Sequence, residues 1–306
     1  MRAARVVVIG SSNTDMVVKA TRIPQPGETV LGGEFVMVPG GKGANQAVAA
    51  ARLGAEVTLV ARLGDDLFAE ASLRSLREAG IHTEAVVRDP EAASGVALIL
   101  VDESGENAIA VAPGANARLT PADVDRAEAA IRAADVVVLQ LEVPMPAVLH
   151  AIRLAKRHGR RVILNPAPAA PVPDEALAMV DFLTPNETEA ELLLGGGAAA
   201  SAWGGIAAVA DALRAKGAGT VIVTLGREGA FVVGPGGSVH VPGRHVKAVD
   251  TTAAGDAFTG ALACALGEGR DLAAALEFAT AAAALSVTRM GAQSSLPDRA
   301  AVESFR

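Results

Sequence analysis

An α/β fold with a mostly parallel sheet between two helical layers is predicted from three observations. Short β-branched runs alternate with longer alanine-, leucine- and arginine-rich segments, the signature of repeated βα units. The chain has 306 residues, 51% of them hydrophobic, enough for one large core. Two regions break the alternation with paired strands and no helix between them.

In chain order, "VVVIG" at 6 is the first strand, and "DMVVKATRIPQPGETVLGGEFVMV" at 15–38 reads as two strands joined by a turn. A helix is predicted over 44–53, then the strand "EVTLVARLG" at 56 and a helix over 67–79. A second strand pair, "SGVALILVDESGENAIAVAPG", occupies 94–114. The rhythm then resumes: a helix over 121–133, "DVVVLQLE" at 135, a helix over 146–158, "RVILNP" at 161 and "FLTPN" at 182. Helices over 187–194 and 205–216 precede the strand "TVIVTLG" at 220. The two inserts, 15–38 and 94–114, are expected to form a small antiparallel β lid over a main domain made of 1–14, 39–93 and 115–306. An apolar side on that lid can also pair with a second subunit.

Composition excludes several classes. The formal charge of −7 and the scattering of basic residues in short groups such as "KRHGRR" argue against a nucleic-acid footprint. Cys264 is the only cysteine, so no intrachain disulfide or multi-cysteine metal site is expected. It lies in the apolar run "GALACALG", where a packed core thiol is the expectation. "MRAARVVVIG" is no signal peptide, and the alanine-rich stretch 273–287 contains Glu277 and falls short of a membrane span. A soluble, cytoplasmic protein is expected.

In mostly parallel sheets, ligands bind outside the carboxyl ends of the strands, so polar residues just after the strands are the candidates. Asn13 and Asp15 follow the first strand in "GSSNTD" and offer an amide and a carboxylate suited to vicinal hydroxyls; turn chemistry is the plain alternative. The stretch lacks the Gly-x-Gly-x-x-Gly spacing of a dinucleotide site. "MVPGGKGANQAVAA" at 37–50 fails as a Walker loop, because Gly43 follows Lys42 and Val36 stands where the first glycine belongs.

"AVDTTAAGDAFTGALACAL" at 248–266 is the most informative stretch. Where its loop becomes a helix, the amides of Ala253, Ala254, Gly255 and Asp256 are free donors at the positive end of the helix dipole. Such an end can hold charge developing on a transferring phosphoryl group. Asp256 in that first turn can accept a proton as general base, or simply be an aspartate favoured by the dipole.

With "GGKGANQA" and "DTTAAGDAF" together, the chain resembles the ribokinase (PfkB) family of carbohydrate kinases, whose three-layer α/β/α ribokinase-like fold carries a small β lid. The resemblance extends through "PGETV", "ASGVAL", "GENAIAVAPGAN", "LNPAPA", "TPNETEAE", "TLGREG" and "VTRMGAQSS", nearly the whole chain. It implies ATP-dependent phosphorylation of a small sugar, D-ribose to D-ribose 5-phosphate. Kinases for 2-deoxyribose or fructose, and a non-catalytic sugar-binding regulator, stay open as alternatives.

By resemblance, Asn13, Asp15, Gly41, Lys42, Asn45 and Glu142 contact the sugar, Gly41 and Gly43 letting main chain approach it. Asp256 takes the proton of the attacking hydroxyl, while Ala253, Ala254 and Gly255 supply the anion hole. Asn186 and Glu189 organise phosphate and magnesium, the metal through water. Thr224, Gly226, Gly229, Gly255 and Thr280 border the nucleotide. Asp250, Thr252, Ser286, Arg289, Gly291 and Ser295 make a potassium site, mostly from carbonyls. A homodimer through the lid is implied. Few aromatic rings are present for stacking a base, which favours a pentose over a nucleoside as acceptor.

Overall fold

The computed structural model describes residues 2–196 and 205–305. The first half carries strands β1 (Arg5–Ile9), β2 (Asn13–Lys19), β3 (Phe35–Gly40), β4 (Glu56–Gly64), β5 (Val86–Asp89), β6 (Gly95–Val101), β7 (Asn107–Ala112) and β8 (Val136–Leu139). The second adds β9 (Arg161–Leu164), β10 (Phe182–Leu183), β11 (Thr220–Thr224), β12 (Gly229–Gly234) and β13 (Gly237–Pro242). Helices α1 (Lys42–Arg52), α2 (Leu67–Glu78), α3 (Pro121–Asp125), α4 (Glu128–Ala133) and α5 (Met145–Arg157) come first. They are followed by α6 (Asp174–Leu177), α7 (Glu187–Leu193), α8 (Ile206–Ala215), α9 (Ala254–Gly267), α10 (Leu272–Ser286) and α11 (Arg299–Ser304).

The large sheet has the order β13-β12-β11-β10-β9-β8-β1-β4-β5. From β11 to β5 all neighbours are parallel, and β12 and β13 add an antiparallel edge. Its central strands are buried on both faces, as a parallel sheet requires. Val6 and Val8 of β1 join Val136, Val138 and Ile163 in a core beneath α1, α9 and α10. Val7 and Ile9 point the other way, joining Val137, Leu139, Val162 and Leu164 under α5 and α8. Strand periodicity of two thus builds both cores from alternate residues of the same strands.

The second sheet, β3-β2-β6-β7, is antiparallel within each hairpin, and the hairpins join through parallel β2 and β6. In register, Asp15 sits between Val38 and Ala97, while Met16 sits between Met37 and Leu98. One face therefore carries Asp15 and Val111, and the opposite face carries Met37, Leu98 and Phe35.

Three differences from the sequence reading have physical causes. β2 starts at Asn13, so Asn13 and Asp15 lie in the smaller sheet itself rather than in a loop after β1. The helix expected over 121–133 is two helices with a kink at Ala127. Asp123 closes a capping box with Thr120 and also accepts from Arg62 of β4 at 2.9 Å, which pins the first turn, while Ile131 follows the core. The β12–β13 hairpin was not anticipated: its glycine-rich turn at 234–237 interrupts an alternation only a few residues long.

Candidate active site

Side chains from the carboxyl ends of adjacent strands converge on the start of α9. Ser11 and Asn13 follow β1, Gln140 and Glu142 follow β8, Asn165 follows β9, Thr184 follows β10, and Thr224 closes β11. α1 runs back from Gly41 with Lys42, Asn45 and Gln46 in its first turns. This is the crevice in which doubly wound sheets hold ligands.

α9 begins at Ala254 with no side-chain cap, and its N-cap residue Ala253 has φ 61°, the left-handed region. A non-glycine residue there costs about 1–2 kcal/mol, and the turn it makes places Ala253 to Asp256 along a polar cavity, although the Ala254 N–H, expected to be free, donates to the Thr251 carbonyl at 3.3 Å. That cavity, about 190 Å³, is lined by Lys42, Asn165, Asn186, Glu189, Ala253 to Asp256 and others. Thr224, Thr251, Ala254 and Gly255 are shared with a neighbouring, mostly apolar cavity of about 400 Å³. Phe258, Thr280, Ala283 and Val287 form part of that second wall. A third cavity, about 360 Å³, lies between Asn13, Val111 and Asn116 on one side and Leu141, Glu142 and Pro144 on the other.

Asp256 is buried, and both its carboxylate oxygens accept from amides: Oδ2 from Asn45 Nδ2 at 3.0 Å and Oδ1 from Gln46 Nε2 at 2.9 Å. Asn45 Oδ1 is buried without a partner, an acceptor open to a ligand hydroxyl. Asn116 Nδ2 donates to Asn13 Oδ1 at 2.8 Å, which fixes the Asn13 amide and leaves its NH2 group for a ligand. Glu142 accepts from the Lys42 amide at 3.0 Å and from the Ser11 hydroxyl.

The charges are interdependent. Burial, with the negative charges of Glu142 and Asp256 nearby, pushes the Asp15 carboxyl up to about 6. Burial lowers the Lys42 ammonium, but Asp256, Glu142 and Glu189 outweigh it and hold Lys42 above its ordinary value. Burial also raises Glu189, against the Asn186 amide and the Lys42 charge, with Asp256 adding to the rise. A carboxylate-rich pocket with one ammonium and a row of helix-end donors can bind hydroxyls and, beside them, a phosphate chain.

Comparison with known proteins agrees with this geometry. The family model described as "pfkB family carbohydrate kinase" matches residues 3–299. The chain belongs to this family of carbohydrate kinases. It is 43% identical to a ribokinase of Haemophilus influenzae, covering 95% of both chains. It is also 43% identical to a deoxyribokinase of Salmonella typhimurium, again over 95% of both. The solved structure of Arabidopsis thaliana ribokinase complexed with ribose and ATP superimposes with a TM-score of 0.89 at 33% identity, covering 99% of each chain.

Most of the residues singled out from the sequence of this pfkB-family chain come together. Asp256, Ala253, Ala254, Gly255, Lys42, Asn186 and Glu189 share one cavity, Asn13 and Glu142 another, and Thr224, Gly226, Gly229 and Thr280 border the third. Thr280 Oγ1 is buried there without a partner. Gly41 has φ 87°, and a Cβ on it would lie 2.7 Å from the Asn13 nitrogen; one on Gly43 would lie 2.6 Å from the Ser11 nitrogen. The bare backbone of this loop is thus required by main chain packed against main chain, whatever ligand lies beyond it. Asn186 and Glu189 close a capping box, with bonds of 2.8 and 2.9 Å, so this pair starts α7 as well as facing the cavity.

Asp250 laces two loops together, accepting from the amides of Thr252 at 2.9 Å and Gly291 at 2.8 Å. The Ser286 and Ser295 hydroxyls donate to the carbonyls of Ala283 and Ala292 at 2.8 Å each. Among the described residues no cluster of three or more His, Cys, Asp or Glu is placed to hold a metal. The sequence reading assigned no role to Gln46, Gln140, Asn165 or Asn116, although Gln46 and Asn165 stand inside "GGKGANQA" and "LNPAPA".

Proposed function

We propose that the protein transfers the γ-phosphoryl group of ATP to the 5-hydroxyl of D-ribose, giving D-ribose 5-phosphate and ADP. The observation that carries this reading is the Asp256 carboxylate, held by two amides at the uncapped start of α9, where the polar cavity meets the large apolar one. Asp256 accepts the proton of the primary hydroxyl as that oxygen bonds to the γ-phosphorus and the bond to the β,γ-bridging oxygen breaks. The Gly255 N–H group and the Lys42 ammonium meet the charge that develops on the phosphoryl oxygens.

The sugar is held by Asn13, Asp15, Gly41, Lys42, Asn45 and Glu142; the Arabidopsis relative that binds ribose and ATP has the same fold throughout. The nucleotide takes the apolar cavity bordered by Thr224, Gly226, Gly229 and Thr280. Asn186 and Glu189 would hold magnesium through water, where it would neutralise phosphate charge. Potassium among the carbonyls of Asp250, Thr252, Ser286, Arg289, Gly291 and Ser295 would stiffen the loop that leads into α9. Segments 15–38 and 94–114 close as a lid that excludes water as a competing acceptor and pair with a second copy in a homodimer of the cytoplasm.

A second reading, 2-deoxyribose as acceptor, has the equal identity to a deoxyribokinase in its favour. The two sugars differ by one hydroxyl, and the buried Asp15 carboxylate is the group that can require it. Coupled ADP release is the test: release dependent on ribose supports the reading, and release independent of any sugar overturns it. Comparing kcat/KM for ribose, 2-deoxyribose and fructose decides the acceptor.

A further inference from the structure

We infer that Gln46 is a positioning residue for the phosphoryl-transfer reaction: its carboxamide holds the Asp256 carboxylate in its reacting orientation. This rests on the kinase reading above. Gln46 is fully buried, and its Nε2 donates to both Asp256 Oδ1 at 2.9 Å and Asn165 Oδ1 at 3.1 Å. Its Oε1 accepts from Gln140 Nε2 at 2.6 Å.

The direction of every bond follows from one main-chain atom. Asn165 Nδ2 donates to the Thr184 carbonyl at 2.8 Å, and a carbonyl only accepts. Asn165 must therefore turn its oxygen toward Gln46, and Gln46 must answer with its NH2 group, whose second proton falls to Asp256. Flipping the Gln46 amide would set oxygen against oxygen at both contacts and nitrogen against nitrogen at Gln140. Asp256 Oδ1 thus faces a donor that cannot rotate away, while Asn45 anchors Oδ2. Each oxygen keeps a lone pair for the sugar hydroxyl.

The same contact favours the charged form of a carboxylate that has like charges around it. Asp15 of β2 and Glu189 of α7 face Asp256 with negative charge, and Lys42 of α1 with positive charge. A hydrogen bond donated to a carboxylate favours its charged form.

The test is kcat against pH for the wild-type protein, Gln46→Leu and Gln46→Glu, with ribose binding followed by calorimetry. In Gln46→Leu, kcat at neutral pH is expected to fall about 30-fold, and the acid limb of the profile to move up by about one pH unit, while ribose binding persists. Gln46→Glu keeps the shape but loses the obligatory donor, so its acid limb is expected to lie higher still. A merely structural role would make the isosteric Glu the milder change. Should Gln46→Leu fail to fold, Asn165→Leu removes the acceptor that fixes the Gln46 amide without touching Asp256, and a smaller shift in the same direction is expected. Unshifted acid limbs in folded variants of an active kinase would overturn the role of Gln46 alone; a wild-type protein that releases no ADP with sugar would overturn the kinase reading and the role with it.

Discussion

At the scale of single residues, burial and neighbouring charge act together on Asp15, Lys42 and Glu189. Asp15 is the clearest case. Its folded-state value of about 6 stands above the 3.8 of the free side chain, through burial first and the charges of Glu142 and Asp256 second. The folded protein therefore holds a proton that the unfolded chain releases between about pH 4 and 6, and stability falls as pH rises through that window. Asp15→Asn is expected to add on the order of 2–3 kcal/mol above pH 6, a gain that fades to nothing below about pH 4. Urea unfolding at several pH values measures it. The same substitution should raise KM for the sugar, because a carboxylate accepts hydroxyl hydrogens more strongly than an amide. For Asp256→Asn the expectation is a fall in kcat of about 10²–10⁴ with ribose binding retained in calorimetry. A variant keeping most of its turnover would refute the base assignment. Asp256 was legible from its place in a helix start after "DTTAAG". The amides that hold it were not, because Gln46, Gln140 and Asn165 lie on three different elements and meet only once the sheet is assembled.

At the scale of elements, the decisive contact is the crossing of α1 and α9, which brings Asn45 and Gln46 against Asp256 at the start of α9. Gly260 makes the crossing close: a Cβ there would lie 2.6 Å from Ala49 Cβ and 2.7 Å from the Gln46 carbonyl oxygen. Gly260→Ala is expected to push the helices apart, destabilising the protein by about 1–3 kcal/mol. Because Asp256 lies one turn before Gly260 and Gln46 lies on the facing helix, the displacement should also lower kcat about tenfold or more. KM for ATP should change less, since the apolar cavity is built largely on other residues. Chemical denaturation and steady-state kinetics on one preparation separate the two effects; a destabilised variant with unchanged kcat would show that the crossing matters to the fold alone. The helices of this crossing were visible as alanine-rich segments, since small residues let backbones approach. Their pairing was not, because it depends on alternate residues of β1 and β8 choosing the same face.

At the scale of the whole molecule, the smaller sheet carries two faces with different needs. Its Asp15 face contributes to the site, and Val111 lines the cavity that also holds Asn13 and Glu142. The opposite face presents Phe35 and Met37 on the edge strand β3 and Leu98 on the inner strand β6, which are 57%, 55% and 55% exposed, with Met16 of β2 between Met37 and Leu98. The inserts showed in the sequence as strand pairs without a helix, but which residues pointed where depended on the parallel join of β2 to β6, which no local pattern encodes. An apolar row at the centre of a four-stranded sheet leaves water most effectively against a second copy of itself. Burying one such side chain is worth about 1.5–3 kcal/mol, and a twofold interface buries each twice. Leu98→Lys places a charge at the centre of that face, on the side away from Asp15, and is expected to convert the proposed dimer to monomers in sedimentation experiments. Its effect on catalysis should be a higher KM for the sugar with kcat nearly unchanged, because the lid would close without the partner's support while Asp256, Gln46 and the start of α9 stay where they are. Wild-type protein that sediments as a monomer at micromolar concentration would remove the dimer and leave the exposed face without this explanation.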